Sequence, residues 1–226
     1  MLEALGEGLW TVSAPLRLAG AQMGTRMTVV RLGGGGLALI APIPIDDALA
    51  AELAREGPVA AILAPNAFHH FYLAEAADRY PQAACFLAEG VREKLGQTAP
   101  DRAVPLTAEP DPLWRGILEQ TVLGGAPRVN EVIFYHPGSK TLVLTDLCFN
   151  FDPAPGGWTG LFLRVAGAHG RLAASRLMRS MLSDREQVRK TVRHILEWDF
   201  ERIIVTHGHN VMEGGREKFR AATADL

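Results

Sequence analysis

Two cysteines in 226 residues leave no room for a disulfide framework. Cys85 and Cys148 are far apart, lack the close spacing of a zinc-binding pair and sit in apolar runs. They read as buried free thiols of a reducing compartment, so a cytoplasmic location is expected. No basic stretch leading into a long apolar run stands at the N-terminus, so no signal peptide is expected. No apolar run approaches the ~20 residues of a membrane span. Neither sign of charge dominates: 23 Lys and Arg stand against 25 Asp and Glu, a formal charge of −2. That balance gives no electrostatic case for nucleic acid or an anionic membrane, and neither is expected as a partner. The glycines at Gly33–Gly36 lack the GxxxxGK[ST] and GxGxxG patterns and lead into a strand, so they read as a turn, not a phosphate cradle.

What remains is an ordinary globular composition, 48% hydrophobic and 21% charged. The chain is long enough to bury a sizeable core, and a single α/β domain over residues 1–226 is the expectation. Strand patterns fall at 8–15, 26–32, 37–40, 59–64, 83–88, 119–123, 131–135, 141–145 and 202–206. Helical patterns follow Asp46-Asp47, run from Phe71 to Asp78 and from Glu89 to Gly96, open at Ser183-Asp184, and close the chain from Gly215. Residues 97–112 are polar and proline-rich and read as a surface connection. Residues 150–170, with Pro155-Gly156-Gly157, suggest a loop and a loosely packed helix over a site.

The most telling stretch is Val59–His70. An apolar run of strand length is bounded by Gly57-Pro58 and Pro65-Asn66, and two adjacent histidines follow at once. The carboxyl ends of buried strands are where α/β proteins tend to build sites. Asp146 follows Thr141–Thr145, and His207 follows Arg202–Thr206, in the same way. Each has a plain structural reading alone: His70 at a helix start, Asp146 in a strand-end turn, His207 as a solvated loop histidine. Together, His69, His70, Asp146 and His207 bring imidazole and carboxylate donors to three strand ends. Those donors suit zinc, and also iron or manganese.

The order of these parts resembles the metallo-β-lactamase superfamily over most of the chain. That family carries HxHxDH after a strand, then GH(T), then a GD aspartate, then a late histidine. Pro65 to His70 takes the HxHxDH place, the Val132–Asp146 hairpin resembles the one ending in the bridging aspartate, and Ile203–Gly208 resembles the last strand and its histidine. The Pro-Asn-x-x-His-His form is similar to a divergent branch of the superfamily, a domain of unknown function. The resemblance implies a four-layer αββα sandwich with its site at one edge of two sheets.

The same resemblance places proline or alanine where the family holds its first metal: Pro65, Ala67 and, by counting back from the hairpin, Pro127. The family's early aspartate falls near Ala41. The positions of the second metal fall on His69, His70, Asp146 and His207. The expectation is therefore one divalent ion, zinc first, with iron or manganese as alternatives, in a metal-dependent hydrolase acting on a small molecule. Glu131 or His209 would serve as general base or as a partner of the ligands. Four protein ligands would close a tetrahedral zinc, the pattern of a structural site. The competing expectation is a non-catalytic member, metal-free or with a structural metal, that uses the fold for binding or assembly. Arg164, Arg176 and Arg179 could receive an anionic substrate, although solvated surface charge is the plainer reading. Neither the substrate nor the oligomeric state is written in the sequence.

Overall fold

The structure, a computed structural model, describes residues 1–226. Its strands begin with β1 (Glu3–Gly6), β2 (Leu9–Ala14), β3 (Arg17–Leu18), β4 (Ala21–Gln22), β5 (Thr25–Arg31) and β6 (Leu37–Ile40). They continue with β7 (Val59–Ala64), β8 (Ala84–Leu87), β9 (Val104–Pro105), β10 (Glu119–Val122), β11 (Val132–His136) and β12 (Thr141–Leu144). The last are β13 (Phe149–Asn150), β14 (Leu172–Ala173) and β15 (Arg202–Val205). The α-helices are α1 (Asp47–Glu56), α2 (Leu73–Arg79), α3 (Val91–Leu95), α4 (Gly157–Ala166), α5 (Arg176–Ser180), α6 (Arg185–Ile195) and α7 (Gly215–Thr223).

One sheet runs β1-β2-β5-β6-β7-β8-β9 and the other β10-β11-β12-β15, with β3–β4 and β13–β14 as separate pairs. The period of two along the second sheet divides its side chains between two cores. Val132, Phe134, Val143 and Ile204 join the first sheet in the larger core. Their neighbours Ile133, Leu142, Leu144, Ile203 and Val205 pack instead with Val188, Val192 and Ile195 of α6 and Phe219 of α7. Leu49 and Leu53 of α1 and Leu73 of α2 complete the larger core. The result is the four-layer αββα sandwich. In α6 the buried positions Val188, Thr191, Val192 and Ile195 follow the helical period. Asp184 caps that helix, accepting from the amides of Glu186 and Gln187.

Where the structure departs from the sequence reading, the elements are short. The β3–β4 hairpin, α5 and β1 carried too few residues to show a period. The helix after the histidines begins at Leu73, two residues later than its pattern, because Phe71 and Tyr72 lie in a turn and Tyr72 supplies no capping side chain. The 97–112 connection contributes β9 to the edge of the large sheet. A proline is tolerated there because an edge strand has an unused N–H side. Both cysteines are free and buried. No helix is long and apolar enough to cross a membrane.

Just past that connection, Trp114 is fully buried. Its ring meets Phe86 edge-on at 4.7 Å between centroids, and its Nε1 donates to Gln120 Oε1 at 2.7 Å. The indole therefore pins the long connection to the sheet, and removing it leaves both a cavity and an unpaired amide. Trp114→Ala is expected to lower stability by about 3–5 kcal/mol, read by urea unfolding. A loss below about 1 kcal/mol would show that the connection is anchored elsewhere.

Candidate metal centre

Three strand ends meet at one edge of the sandwich. After β7, the Pro65 carbonyl accepts from Val132 N at 2.7 Å and the Ala67 amide donates to Val129 O at 2.9 Å. The chain leaving the first sheet is thus stitched to the second. Asn66 between them is fully buried and uses both ends of its amide. Its Oδ1 accepts from the amides of Phe68 and His69, each at 2.8 Å. This is the local turn that short polar side chains favour. Its Nδ2 donates to Thr145 Oγ1 at 2.8 Å and to Asp146 Oδ2 at 2.6 Å. One side chain therefore sets the loop that carries His69 and the carboxylate that His69 faces.

The loop after β12 is held from beneath by Glu131, which is 0% exposed. Its carboxylate accepts from the backbone amides of Thr145, Asp146 and Leu147 at 2.7, 3.0 and 2.7 Å. Burial, reinforced by the charge of Asp146, pushes the Glu131 carboxyl up to about 7, against the lowering effect of hydrogen bonds from Thr145 and Asp146. Burial alone would also lift Asp146. There the attraction of His69 and the hydrogen bonds of His207 and His69 outweigh it and hold the carboxyl well below the usual range.

His207 follows β15. Its Nδ1 lies 2.6 Å from the Gly24 carbonyl oxygen. A carbonyl can only accept, so Nδ1 carries a proton and Nε2 is the nitrogen turned toward Asp146. Arg26 of β5 supports the same turn, donating to the carbonyls of Val205 and Gly208, the latter at 2.8 Å. Gly208 itself has φ +89°, and a Cβ there would fall 1.9 Å from Asn150 O. Only glycine fits between His207 and the strand pair beside it.

His69 Nε2 stands 3.2 Å from Asp146 Oδ2 and His207 Nε2 stands 3.6 Å from Asp146 Oδ1. One donor atom from each of the three residues lies within 4.8 Å of the others. An ion with ligand bonds of about 2.0–2.2 Å in tetrahedral geometry holds its donors roughly 3.3–3.6 Å apart. The two imidazole nitrogens each stand near that spacing from Asp146, one beside each carboxylate oxygen, and Nε2 is the His207 nitrogen turned toward it. The donor set therefore fits a divalent metal.

His70 stands outside this group. Its ring stacks on Phe71 at 4.8 Å between centroids and its buried Nδ1 has no partner. Burial and then nearby Lys94 lower its pKa. The Lys94 ammonium donates to Ala67 O at 2.7 Å and lies 4.5 Å from the centre of the Phe68 ring. A positive charge is thereby placed against one of the positions that carry no donor side chain. Glu131 turns its carboxylate to the backbone beneath the site. His209 lines a cavity of about 350 Å³ with Arg26, Thr25, Thr206, Met23 and Phe151, its backbone fixed to Asn150 in both directions, at 2.7 Å for N to O and 2.8 Å for Asn150 Nδ2 to its carbonyl. Asn66 was visible in the sequence only as a turn residue after proline; an amide that bonds in both directions is a property of the assembled loops.

Residues 7–159 match the family described as "Domain of unknown function (DUF4336)". The chain belongs to that family. In this DUF4336 chain the matched stretch contains His69 and Asp146 and ends before His207. No curated protein matches the sequence. Among solved structures, the DIM-1 metallo-β-lactamase exposed to ceftazidime is similar with a TM-score of 0.67 and 13% identity, over 99% of this chain and 96% of that one. A metallo-β-lactamase from Erythrobacter litoralis with β-mercaptoethanol in its active site gives 0.67 and 16%, over 100% and 96%. The mono-zinc form of FIM-1 from Pseudomonas aeruginosa gives 0.66 and 15%, over 99% and 93%. At such identities the likeness establishes the fold, metallo-β-lactamase-like from end to end, and no more.

The Asn66 amide ties the two ligand-bearing loops of the DUF4336 chain, so its removal leaves two amides and a buried carboxylate short of partners. Asn66→Ala is expected to cost about 2–4 kcal/mol of stability, measured by chemical unfolding in the presence of chelator. An unchanged midpoint would mean that the loops hold their positions without it.

Proposed function

We propose that this protein is a metal-dependent hydrolase of a small molecule, with one divalent ion held by His69, Asp146 and His207. The observation that carries the proposal is the convergence of those three donors within 4.8 Å of one another; three protein donors would leave a fourth position for water or substrate on a tetrahedral ion. Three protein ligands with an open fourth place are the pattern of catalytic zinc sites, whereas four closed ligands are the pattern of structural ones. His70 is left out of the ligand set because its ring is stacked away on Phe71. Zinc suits two imidazoles and a carboxylate, and iron and manganese accept the same donors.

Bound there, a divalent ion would polarise a carbonyl or phosphoryl oxygen and lower the pKa of a water to about 7. The chain's own residues do the positioning. Gly24 fixes the His207 tautomer, Asn66 orients Asp146, and Glu131 holds the backbone of the Asp146 loop. Partners of this kind typically alter metal affinity about 10–100-fold when removed. Glu131 is accordingly assigned to positioning. His209, which lines the cavity beside His207, is assigned to proton transfer at a substrate lying in that cavity. Substrate selection is assigned to the same cavity, where Arg26 and three threonines stand beside Met23, Phe151 and two prolines.

One ion per chain is expected, not two. Pro65, Ala67 and Pro127 offer no donor side chain, and Lys94 adds a positive charge beside Ala67. Elemental analysis of protein purified without chelator, followed by calorimetric zinc titration, should give one site. Asp146→Ala should abolish it while the protein stays folded, since the sheets rather than the ion bury the core. Metal retained in that variant, or two tight ions in the wild type, would overturn the assignment. A site with no affinity for zinc, iron or manganese would favour the non-catalytic use of the fold. A screen of esters, lactones and phosphodiesters on the zinc-loaded protein then tests hydrolysis itself.

A further inference from the structure

The outer surface of α4 is apolar where a solvated helix would be polar. Trp158, Leu161 and Val165 recur at the spacing of one helical face and are 57%, 51% and 64% exposed. The opposite face is the one that packs inward, through Gly160 and Leu163. The stripe continues at both ends. Trp158 Nε1 donates to Ala19 O at 2.9 Å, which brings the tip of the β3–β4 hairpin, with Leu18 52% exposed, alongside the indole. At the other end Arg176 donates to Val165 O at 3.1 Å, and Leu177 next to it is 64% exposed. Singly exposed apolar side chains are commonplace, but five in one contiguous band are not.

The segment that carries most of the band holds charge of one sign. Between Pro153 and Ser183 the chain has four arginines and no acidic residue, in a protein whose formal charge is −2. Arg164 and Arg171 are exposed and take part in no ion pair, Arg176 binds only the Val165 carbonyl, and Arg179 is answered by Asp225 at 3.5 Å. Arg17 on the hairpin adds a further exposed cation. The nearest acidic residues along the chain, Asp152 and Asp184, lie outside the segment, and Asp184 is engaged as the cap of α6.

We infer that this face, formed by α4, the β3–β4 hairpin tip and the start of α5, is a peripheral attachment surface for an anionic lipid bilayer. A tryptophan flanked by aliphatic side chains, with Arg164 on the same helix and Arg176 bonded to its last turn, matches the boundary of a membrane: the apolar band enters among the headgroups while the guanidinium groups meet their phosphates. The overall charge of the chain argues against such a partner only while the arginines are averaged with acids elsewhere on the surface. A second copy of this chain is the weaker occupant, because a two-fold contact through this face would set the same arginines against each other. The inference stands independently of the metal site.

The protein carries its own reporter. Of its four tryptophans, Trp10, Trp114 and Trp198 are buried, so Trp158 dominates any change of exposure. Wild-type protein is mixed with vesicles of phosphatidylcholine alone or of phosphatidylcholine with 30 mol% phosphatidylglycerol, with sedimentation and tryptophan emission as readouts. Co-sedimentation and a blue shift are expected with the anionic vesicles only, weakening at high salt. Leu161→Ser with Val165→Ser should remove both signals. Each arginine near an anionic surface changes binding about fivefold, so Arg164→Glu with Arg171→Glu should weaken it at least about 25-fold. These side chains are exposed, and unchanged thermal melts of the variants exclude misfolding as the cause. No binding to anionic vesicles, equal binding to both kinds, or a lipid-free dimer with Trp158 already blue-shifted would overturn the inference, the last in favour of a protein partner.

Discussion

Two carboxylates, Glu131 and Asp146, are buried at one edge of the sandwich with no arginine or lysine in ion-pair contact, and the local architecture answers that constraint. Taking a charge out of water costs several kcal/mol unless polar groups replace the solvent. Glu131 finds three backbone amides on the loop above it. Asp146 finds the Asn66 amide and two imidazoles. Satisfying these groups requires the ends of β7, β12 and β15 to stop in register, which ties the first sheet to the second. The interaction that arranges the donors is thus the one that closes the fold at that edge.

Much of this edge was legible in the sequence. The apolar runs before Asn66, Asp146 and His207 end abruptly at polar residues, and burial on both sides of a sheet produces that pattern. The period of α6 and its aspartate cap were equally plain, because eleven residues are enough to show a helical face. Which of two neighbouring histidines turns inward was not legible. His69 and His70 occupy a turn, where neither period applies, and the choice is made by the Asn66 side chain accepting from the His69 amide. The β3–β4 hairpin, two residues a side, stayed hidden for the same lack of period. Glu131 reads as a charged residue opening a strand; its complete burial depends on amides that arrive fourteen to sixteen residues later.

The frame shared with the metallo-β-lactamases spans the whole chain at identities near 15%. Such a likeness shows how little a layered sandwich asks of particular side chains, provided that apolar residues alternate where the sheets face each other. In this chain Pro65, Ala67 and Pro127 carry no side chain that could bind a metal, and Lys94 donates to the Ala67 carbonyl.

The hairpin between β2 and β5 is attached at both of its faces. On the outside it is held to α4 by the Trp158 indole at Ala19 and by Gln22 N donating to Thr159 Oγ1 at 3.0 Å. On the inside, a few residues later, the Gly24 carbonyl grips the His207 ring. Surface and interior are consequently linked in mechanical series through a strut of about ten residues. The segment that meets α4 on the surface is therefore also the one whose carbonyl decides which His207 nitrogen carries the proton.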